Sequence, residues 1–206
     1  MKIHNHSSYE VIALLTTITQ GYDRISIHGV RRELLIQQAR ALGIPLQTVM
    51  IPPDATNEIY ESCMREALKE FKKQGICKVA FGDLFLADIR AYRERLLSQI
   101  GMEALFPIWQ RDTRELVETF ISLGFKSILV CVDLKRLPSS FAGRIIDNKF
   151  LHDLPREVDP CGENGEFHTF VFDGPVFKKK IDFVAGELVV KNDCCFCDLQ
   201  SLGLWR

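Results

Sequence analysis

Short apolar runs alternate with amphipathic stretches along the first two thirds of the chain. Glu10–Thr19 reads EVIALLTTIT, and a continuous apolar run of this length predicts a central strand buried on both faces of a sheet. Val30–Leu42 then places apolar residues on one helical face, and Gly43 follows where a helix would end. Leu46–Ile51 returns to the strand pattern. The repeating unit is therefore a strand followed by a helix.

The alternation continues to about Asp133. Further helices are predicted over Asn57–Gln74 and Asp88–Ile100, and Asp112 with Glu115 has the capping-box spacing that opens another. Strands joined by helices of this length favour a parallel, Rossmann-like sheet in an α/β fold. The strands predicted to be parallel are Val11–Thr16, Thr48–Ile51, Lys78–Phe81 and Ser127–Val132.

Beyond Asp133 the pattern becomes irregular because four prolines divide the segment into loops and short pieces. Phe183–Val190 followed by Cys195–Leu199 predicts a terminal hairpin. We therefore expect two parts, a nucleotide-binding Rossmann-like domain over residues 1–110 and a smaller, family-specific α+β substrate domain over 111–206.

Composition narrows the class of protein. The 206 residues carry 26 Lys and Arg against 27 Asp and Glu, so the formal charge of −1 excludes the basic excess of a general nucleic-acid binder. No apolar run is long enough to cross a bilayer, and Met1–Glu10 has no features of a secretory signal. The expected compartment is the cytoplasm. The seven cysteines fit reduced thiols, and their spacing predicts no metal site.

The first candidate site lies where predicted parallel strands end, since ligands of such sheets bind beyond the carboxyl ends of the strands. Thr16 and Thr17 end the first strand, and Gly82 and Asp83 follow the strand KVAF. Glycine allows close backbone approach, and a carboxylate can hold a ribose hydroxyl or a hydrated magnesium ion. The alternative is an ordinary loop turn with a solvated or helix-capping carboxylate.

The densest cluster of polar residues is Val158–Asp173, VDPCGENGEFHTFVFD. Its two glycines allow a tight path on which backbone N–H groups and acidic side chains converge on a polar ligand. His168 and Thr169 are adjacent in a strand pattern, so they face opposite sides unless the strand bulges. A Pro/Gly turn with exposed acids is the alternative. Cys161 could act as a nucleophile with His168 as its base, but a buried, inert thiol is the favoured interpretation.

Four stretches together resemble the diphthine–ammonia ligase family of PP-loop ATP pyrophosphatases, and more closely its bacterial branch of uncharacterised ATP-binding proteins. The most specific is GENGEFHT within Asp159–Phe177, and the resemblance runs from Tyr9 to Leu199. The other stretches are LLTTITQGYDRISIHGVRRELL at Leu14–Leu35, FGDLFLADIRAYRE at Phe81–Glu94 and FPIWQRDTREL at Phe106–Leu116.

The resemblance implies an ATP-dependent ligase that adenylates a carboxylate, releases pyrophosphate and lets ammonia displace AMP to form an amide. ATP and Mg²⁺ are the implied cofactors, and the expected partners are ATP and a carboxylate substrate, with a homo-oligomer left open. The residues divide by role into catalytic Glu163, Glu166 and His168; cofactor-binding Thr16, Thr17, Gly82 and Asp83; and substrate-binding Gly162, Asn164 and Thr169.

One departure from the family pattern concerns the beginning of the chain. The family starts with a strand and a glycine-rich SGGKDS loop that binds the ATP phosphates, and this sequence has neither; Met1–Ser8 aligns with the end of the helix after that loop. Either the start is assigned too far downstream or the chain has lost ATPase activity. A chain beginning at Met1 is expected to leave an apolar gap beside Val11–Leu15, because the family's first strand is central.

Three functions remain in consideration. The first is the amide-forming ligase. The second is a non-catalytic nucleotide or metabolite binder, favoured by the missing phosphate loop. The third is an interaction module whose exposed sheet edge pairs with a partner.

Overall fold

The computed structural model describes residues 9–26 and 28–203, which form a mixed α/β structure of nine strands and five α-helices. The interpretation of Met1–Ser8 as a helix end lies outside these residues. The strands are β1 Leu14–Thr19, β2 Arg24–Ile25, β3 Leu46–Ile51, β4 Lys78–Ala80, β5 Glu103–Leu105, β6 Lys126–Asp133, β7 Phe167–Asp173, β8 Phe183–Lys191 and β9 Cys194–Ser201.

The helices begin and end near the residues that the sequence indicates. Gly43 adopts the left-handed conformation at the end of the first helix (φ 71°), and Asp112 Oδ1 accepts a hydrogen bond from Glu115 N at 2.7 Å at the start of the fourth. No helix among the described residues is long and apolar enough to cross a membrane. The helices are α1 Arg32–Leu42, α2 Asn57–Lys73, α3 Ala87–Ser98, α4 Thr113–Ser122 and α5 Asn148–Asp153.

The N-terminal strands form two small sheets. β1 lies between β2 and β3, pairing in parallel with β3 from Leu14 to Thr19, and β4 pairs in parallel with β5. These parallel pairs confirm the predicted direction of the strands in this part of the chain, but β1 spans Leu14–Thr19 and not the predicted Val11–Thr16. The two pairs belong to separate sheets in the described residues, so the strands do not form the single sheet that the alternation suggests.

The C-terminal sheet is antiparallel, with the order β7-β6-β9-β8. β6 pairs antiparallel with both β7 and β9, so the prediction of Ser127–Val132 as a parallel strand is wrong. A run of buried residues shows that both faces are covered but does not encode the direction of neighbouring strands. The terminal hairpin is confirmed: β8 and β9 are joined at Asn192 and Asp193, both with positive φ.

Two apolar clusters differ in size. The larger is built mainly from the C-terminal sheet and its flanking segments, and it also takes in Val30, Leu34 and Ala41 from the N-terminal part. α1 therefore packs against the C-terminal sheet, and the division into residues 1–110 and 111–206 stays a prediction. The smaller cluster consists of Leu68, Leu97, Ile100 and Met102.

A groove of about 810 Å³ lies between β1 and β4. It is lined by Tyr9–Thr17 and Lys78–Gly82, together with residues of α2 and α3. In the strand ladder, β2 pairs with β1 only at Ile18 and Thr19. Val11–Leu15 line this groove, and the apolar gap expected beside them stays a prediction. The prediction that β1 is buried on both faces is wrong, because only Ile18 of that strand is buried.

Candidate functional site

Glu166 holds together the polar loop that precedes β7. Its side chain is 3% exposed, and its carboxylate accepts hydrogen bonds from Asp159 N at 3.1 Å, Asn164 N at 3.1 Å and Asn164 Nδ2 at 3.0 Å. A buried carboxylate needs such partners to offset the loss of its hydration. All three donors belong to the loop itself, so the geometry supports a positioning role for Glu166, and its catalytic role stays a prediction.

The loop takes a tight path that requires glycine at one position. Gly162 has φ 69°, and a Cβ there would lie 2.8 Å from the carbonyl oxygen of Phe167. Asp159 Oδ2 accepts from Cys161 N at 3.2 Å and from Glu163 N at 2.9 Å. These bonds direct the Glu163 side chain away from its own loop. Asn164, next in sequence, is exposed.

Glu163 connects this loop to the segment that follows β4. Its Oε1 accepts a hydrogen bond from the backbone N–H of Leu84 at 2.7 Å, across 79 residues of sequence. The structure thus brings the GENGEFHT loop and the Gly82–Asp83 segment together. Burial raises the pKa of Glu163, and the nearby Asp83 and Asp159 act in the same direction, while backbone bonds from Leu84 and Phe85 oppose them.

Asp83 is engaged by an arginine. Arg93 Nη2 donates to Asp83 Oδ1 at 3.1 Å, and Arg93 Nε lies 2.7 Å from Oδ2, with the Asp83 side chain 11% exposed. The guanidinium also lies 4.4 Å from the centre of the Phe81 ring. The ion pair reaches both carboxylate oxygens, but only Oδ1 accepts a hydrogen bond; Oδ2 and Arg93 Nε are buried without hydrogen-bond partners among the described residues. Within residues 9–26 and 28–203, no group of three or more His, Cys, Asp or Glu side chains could hold a metal ion.

Thr16, Thr17 and Gly82 share the groove between β1 and β4. The two threonines are the two central residues of β1, so they do not end the strand as predicted, and Gly82 lies two residues after β4 ends. Arg93, the partner of Asp83, lines the same groove. Three of the four predicted cofactor-binding residues therefore border one cavity, and the fourth is tied to its wall.

The imidazole ring of His168 contacts that of His28, a pairing that no sequence motif predicts. Its imidazole centroid lies 4.5 Å from that of His28, with 35° between the planes. Burial lowers the pKa of His168 to about 4, with a further contribution from His28. Burial also lowers the pKa of His28, against a hydrogen bond to the backbone of Thr169. Both rings are therefore neutral near pH 7.

The strand irregularity near His168 lies in its neighbour. Leu129 pairs with Thr169 and Cys131 with His168, so the extra residue is Val130 of β6. β7 has no extra residue at this point, and adjacent side chains on a regular strand face opposite sides. His168 and Thr169 are therefore not brought to one face.

The segment that carries His28 is anchored by an arginine–aspartate cluster that the sequence analysis missed. Asp198 of β9 contacts Arg24 Nη1 at 2.8 Å, Arg31 Nη2 at 2.7 Å and Arg31 Nε at 3.1 Å. The hydrogen bond from Arg31, followed by that from Arg24, lowers the pKa of Asp198 to about 2. No motif signals this cluster, because its members lie about 170 residues apart.

Cys161 is placed as an inert thiol. Its Sγ donates to the carbonyl oxygen of Thr113 at 3.4 Å, and burial, with nearby acids acting in the same direction, raises its pKa to about 12. A thiol with such a pKa is protonated near neutral pH and is a poor nucleophile. No hydrogen bond joins the Cys161 thiol to His168 among the described residues. The interpretation of Cys161 as buried and unreactive fits this geometry.

Comparison with known proteins gives one family. Residues 112–203 match the family described as diphthamide synthase C-terminal domain. The chain is 27% identical over 195 residues to the diphthine–ammonia ligase of Homo sapiens, covering 88% of this chain and 72% of the relative. It is 31% identical over 182 residues to that of Danio rerio, covering 80% of this chain and 70% of the relative. On this similarity, the chain belongs to the diphthine–ammonia ligase family.

Proposed function

We propose that the protein is an ATP-dependent amide-forming ligase of the diphthine–ammonia ligase type. Such an enzyme activates a carboxylate by adenylation, with release of pyrophosphate, and ammonia then displaces AMP. Membership of a family whose relatives are named diphthine–ammonia ligase supports the reaction class. The observation that carries the proposal is the hydrogen bond from Leu84 N to Glu163, because it places the polar loop beside the end of β4, next to the groove.

The groove between β1 and β4 is the proposed nucleotide site. Thr16 and Thr17 both border the groove, and because they are adjacent in β1 one of the two hydroxyls faces it. Gly82 has open space around the position of a Cβ, so the backbone there can approach a ligand closely. The two flanking parallel pairs would form the Rossmann-like nucleotide-binding part, residues 1–110. The second part, residues 111–206, would hold the carboxylate substrate through Gly162, Asn164 and Thr169.

Glu163 is the best candidate for a general base. An efficient base has a pKa near the working pH, and the pKa of Glu163 is shifted upward, toward that range. The pKa of His168 moves in the opposite direction, away from neutrality, which makes its neutral ring a weak base. We therefore assign proton removal from the incoming ammonia to Glu163, and a packing or positioning role to His168.

The predicted Mg²⁺ receives no protein ligands in this arrangement. Asp83, the carboxylate at the strand end, is paired with Arg93, and the described residues contain no other suitable cluster. We assign no residue of this chain to the metal. We place the protein in the cytoplasm as part of the same proposal.

The first test measures ATP binding by titration calorimetry. Replacing both threonines (Thr16→Val, Thr17→Val) removes two hydroxyls while keeping the side-chain shape, and we expect affinity to fall about tenfold or more. Thr48→Val is the matched control, because Thr48 pairs with Thr16 in the same sheet but does not line the groove. Absence of ATP binding at millimolar concentration, or equal losses in both variants, would overturn the assignment of the groove.

The second test follows ammonium-dependent AMP release with a diphthine-bearing protein as substrate. Glu163→Gln keeps the size of the side chain and removes the base, so the rate should fall about 10²-fold or more while ATP affinity is unchanged. Glu157→Gln is the control, because Glu157 is exposed on the approach to the same loop. Full activity of Glu163→Gln would contradict its role.

A second function is favoured by one observation. Since Asp83 is paired with Arg93, the strand-end carboxylate already has a cationic partner, and the groove could bind a nucleotide without chemistry. Binding of ATP without AMP release by the wild-type chain would support this non-catalytic alternative over the ligase.

A further inference from the structure

β8 forms an outer edge of the C-terminal sheet. It pairs with β9 on one side, and among the described residues no strand pairs with its other side. It also carries four exposed apolar side chains, whereas every other described helix or strand carries at most one. The four are Val184, Leu188, Val189 and Val190. Natural edge strands are usually short or charged, because an exposed apolar edge can pair with another chain.

The uncovered apolar surface continues the core face of the sheet. Leu188 and Val190 pair with Cys197 and Cys195, which are both buried, so Leu188 and Val190 lie on the core face, whereas Val189 between them lies on the other face. Leu188 and Val190 are nevertheless 49% and 62% exposed. The larger apolar cluster includes buried residues of β9 but no buried residue of β8.

We propose that this edge pairs with the same edge of a second copy, antiparallel and with the two-fold axis at Val189. In this register Val189 faces its own copy, and Leu188 faces Val190. Glu187 then faces Lys191 at both ends of the paired stretch. Opposite charges across neighbouring strands stabilise pairing, and like charges disfavour it.

Charge complementarity selects this register over its neighbours. Centring the axis on Glu187 would place that carboxylate opposite itself, and centring it on Leu188 or Val190 would leave Lys191 opposite an apolar residue. Within the described part of the chain, neither Glu187 nor Lys191 has an ion-pair partner, although Lys191 Nζ lies 5.8 Å from the centre of the Tyr22 ring. Both charges are therefore available to a second copy.

The paired stretch is short, because the ladder of β8 is interrupted by a bulge between Ala185 and Leu188; Glu187, the last residue of this bulge, is the end of the paired stretch. A pairing limited to Glu187–Lys191 buries less than a standard stable interface. The dimer is therefore weak and depends on protein concentration. It joins two four-stranded sheets into one and leaves the groove and the GENGEFHT loop outside the contact.

The test is sedimentation velocity of the full chain over a range of concentrations. The wild type should move from 23.6 kDa toward twice that mass as concentration rises. Val189→Lys places two ammonium groups opposite each other at the axis and should abolish the shift. Val184→Lys is the matched control, because Val184 is exposed on the same strand but lies outside the paired stretch. Thermal melting would verify that all variants are folded.

A charge exchange tests the register. Glu187→Lys alone and Lys191→Glu alone each create like-charge pairs and should remain monomeric. An equimolar mixture of the two restores Lys–Glu pairs at both ends and should dimerise. A monomeric wild type at every concentration, or dimers that survive Val189→Lys, would overturn the proposal; a mixture that stays monomeric would overturn the register. None of these measurements involves ATP or the ligase reaction.

Discussion

β6 and β1 are both apolar strands, but they are packed to different degrees. Ser127–Val132 of β6 is buried throughout, between two antiparallel neighbours. In β1 only Ile18 is buried, and the strand borders the groove of about 810 Å³. The two strands have similar sequence patterns, so the difference comes from what each meets in space.

The difference separates a tightly packed scaffold from the region of the proposed nucleotide groove. The C-terminal sheet carries the larger cluster and fixes the polar loop before β7, whereas the groove is lined by three of the four buried residues of the smaller cluster. Cavities that bind ligands must be free of packed side chains, and the region around them is then less stable. The tightly packed half positions Glu163, and the loosely packed half provides space for a ligand.

The largest expected effect comes from matched leucine truncations. Leu129 of β6 and Leu97 beside the groove are both essentially buried, at 0% and 1% exposure. Leu129→Ala should reduce the free energy of unfolding by about 4–5 kcal/mol, because the surrounding core cannot collapse. Leu97→Ala should cost about 2–3 kcal/mol, because it enlarges a cavity that already exists. Urea unfolding of both variants checks this; equal losses would show that the two regions are packed alike in solution.

Enlarging a side chain gives the complementary result. Val132→Phe in β6 should destabilise by about 1–3 kcal/mol through overpacking. Val79 lies on β4 and lines the groove, so Val79→Phe has room for the larger ring. We expect its stability to change by close to zero or to rise slightly. Thermal melting of the two variants measures the contrast. A comparable loss for Val79→Phe would mean that the groove is closed in solution.

The smallest expected effect concerns Asp198, which ties the N-terminal segment to β9. The depressed pKa of Asp198, about 2, means that its carboxylate stabilises the fold above the unfolded pKa near 3.8 and loses that contribution as pH falls toward 2. Since Arg24 and Arg31 are about one third exposed, Asp198→Asn should cost only about 1 kcal/mol at pH 7. The difference from wild type should fall by about half near pH 3.

The control for this variant is Asp193→Asn. Asp193 pairs with Lys135, but both side chains are about two thirds exposed, so the change should be negligible at any pH. A pH-independent cost for Asp198→Asn would mean that the lost contribution is packing and not charge.

Local order was predictable because it depends on neighbours in sequence. The strand expected over Leu46–Ile51 coincides with β3, and the capping residues Gly43 and Asp112 end and begin helices as expected. The hydrogen bond from Leu84 N to Glu163 joins two of the stretches that carry the family resemblance, across 79 residues of sequence. The direction of β6 was not predictable, because an apolar run specifies burial but not which later strand pairs beside it.

The sequence by itself determined the family, the helix and strand positions in the first half and the loop with most of the polar side chains. Only the tertiary structure decided how those side chains are used. It paired Asp83 with Arg93, directed the Glu166 carboxylate into its own loop and placed the tilted rings of His28 and His168 in contact. Some of these contacts depend on where a side chain points within a folded loop. Others join residues that are far apart in the sequence. Residue type and spacing along the sequence do not fix such geometry.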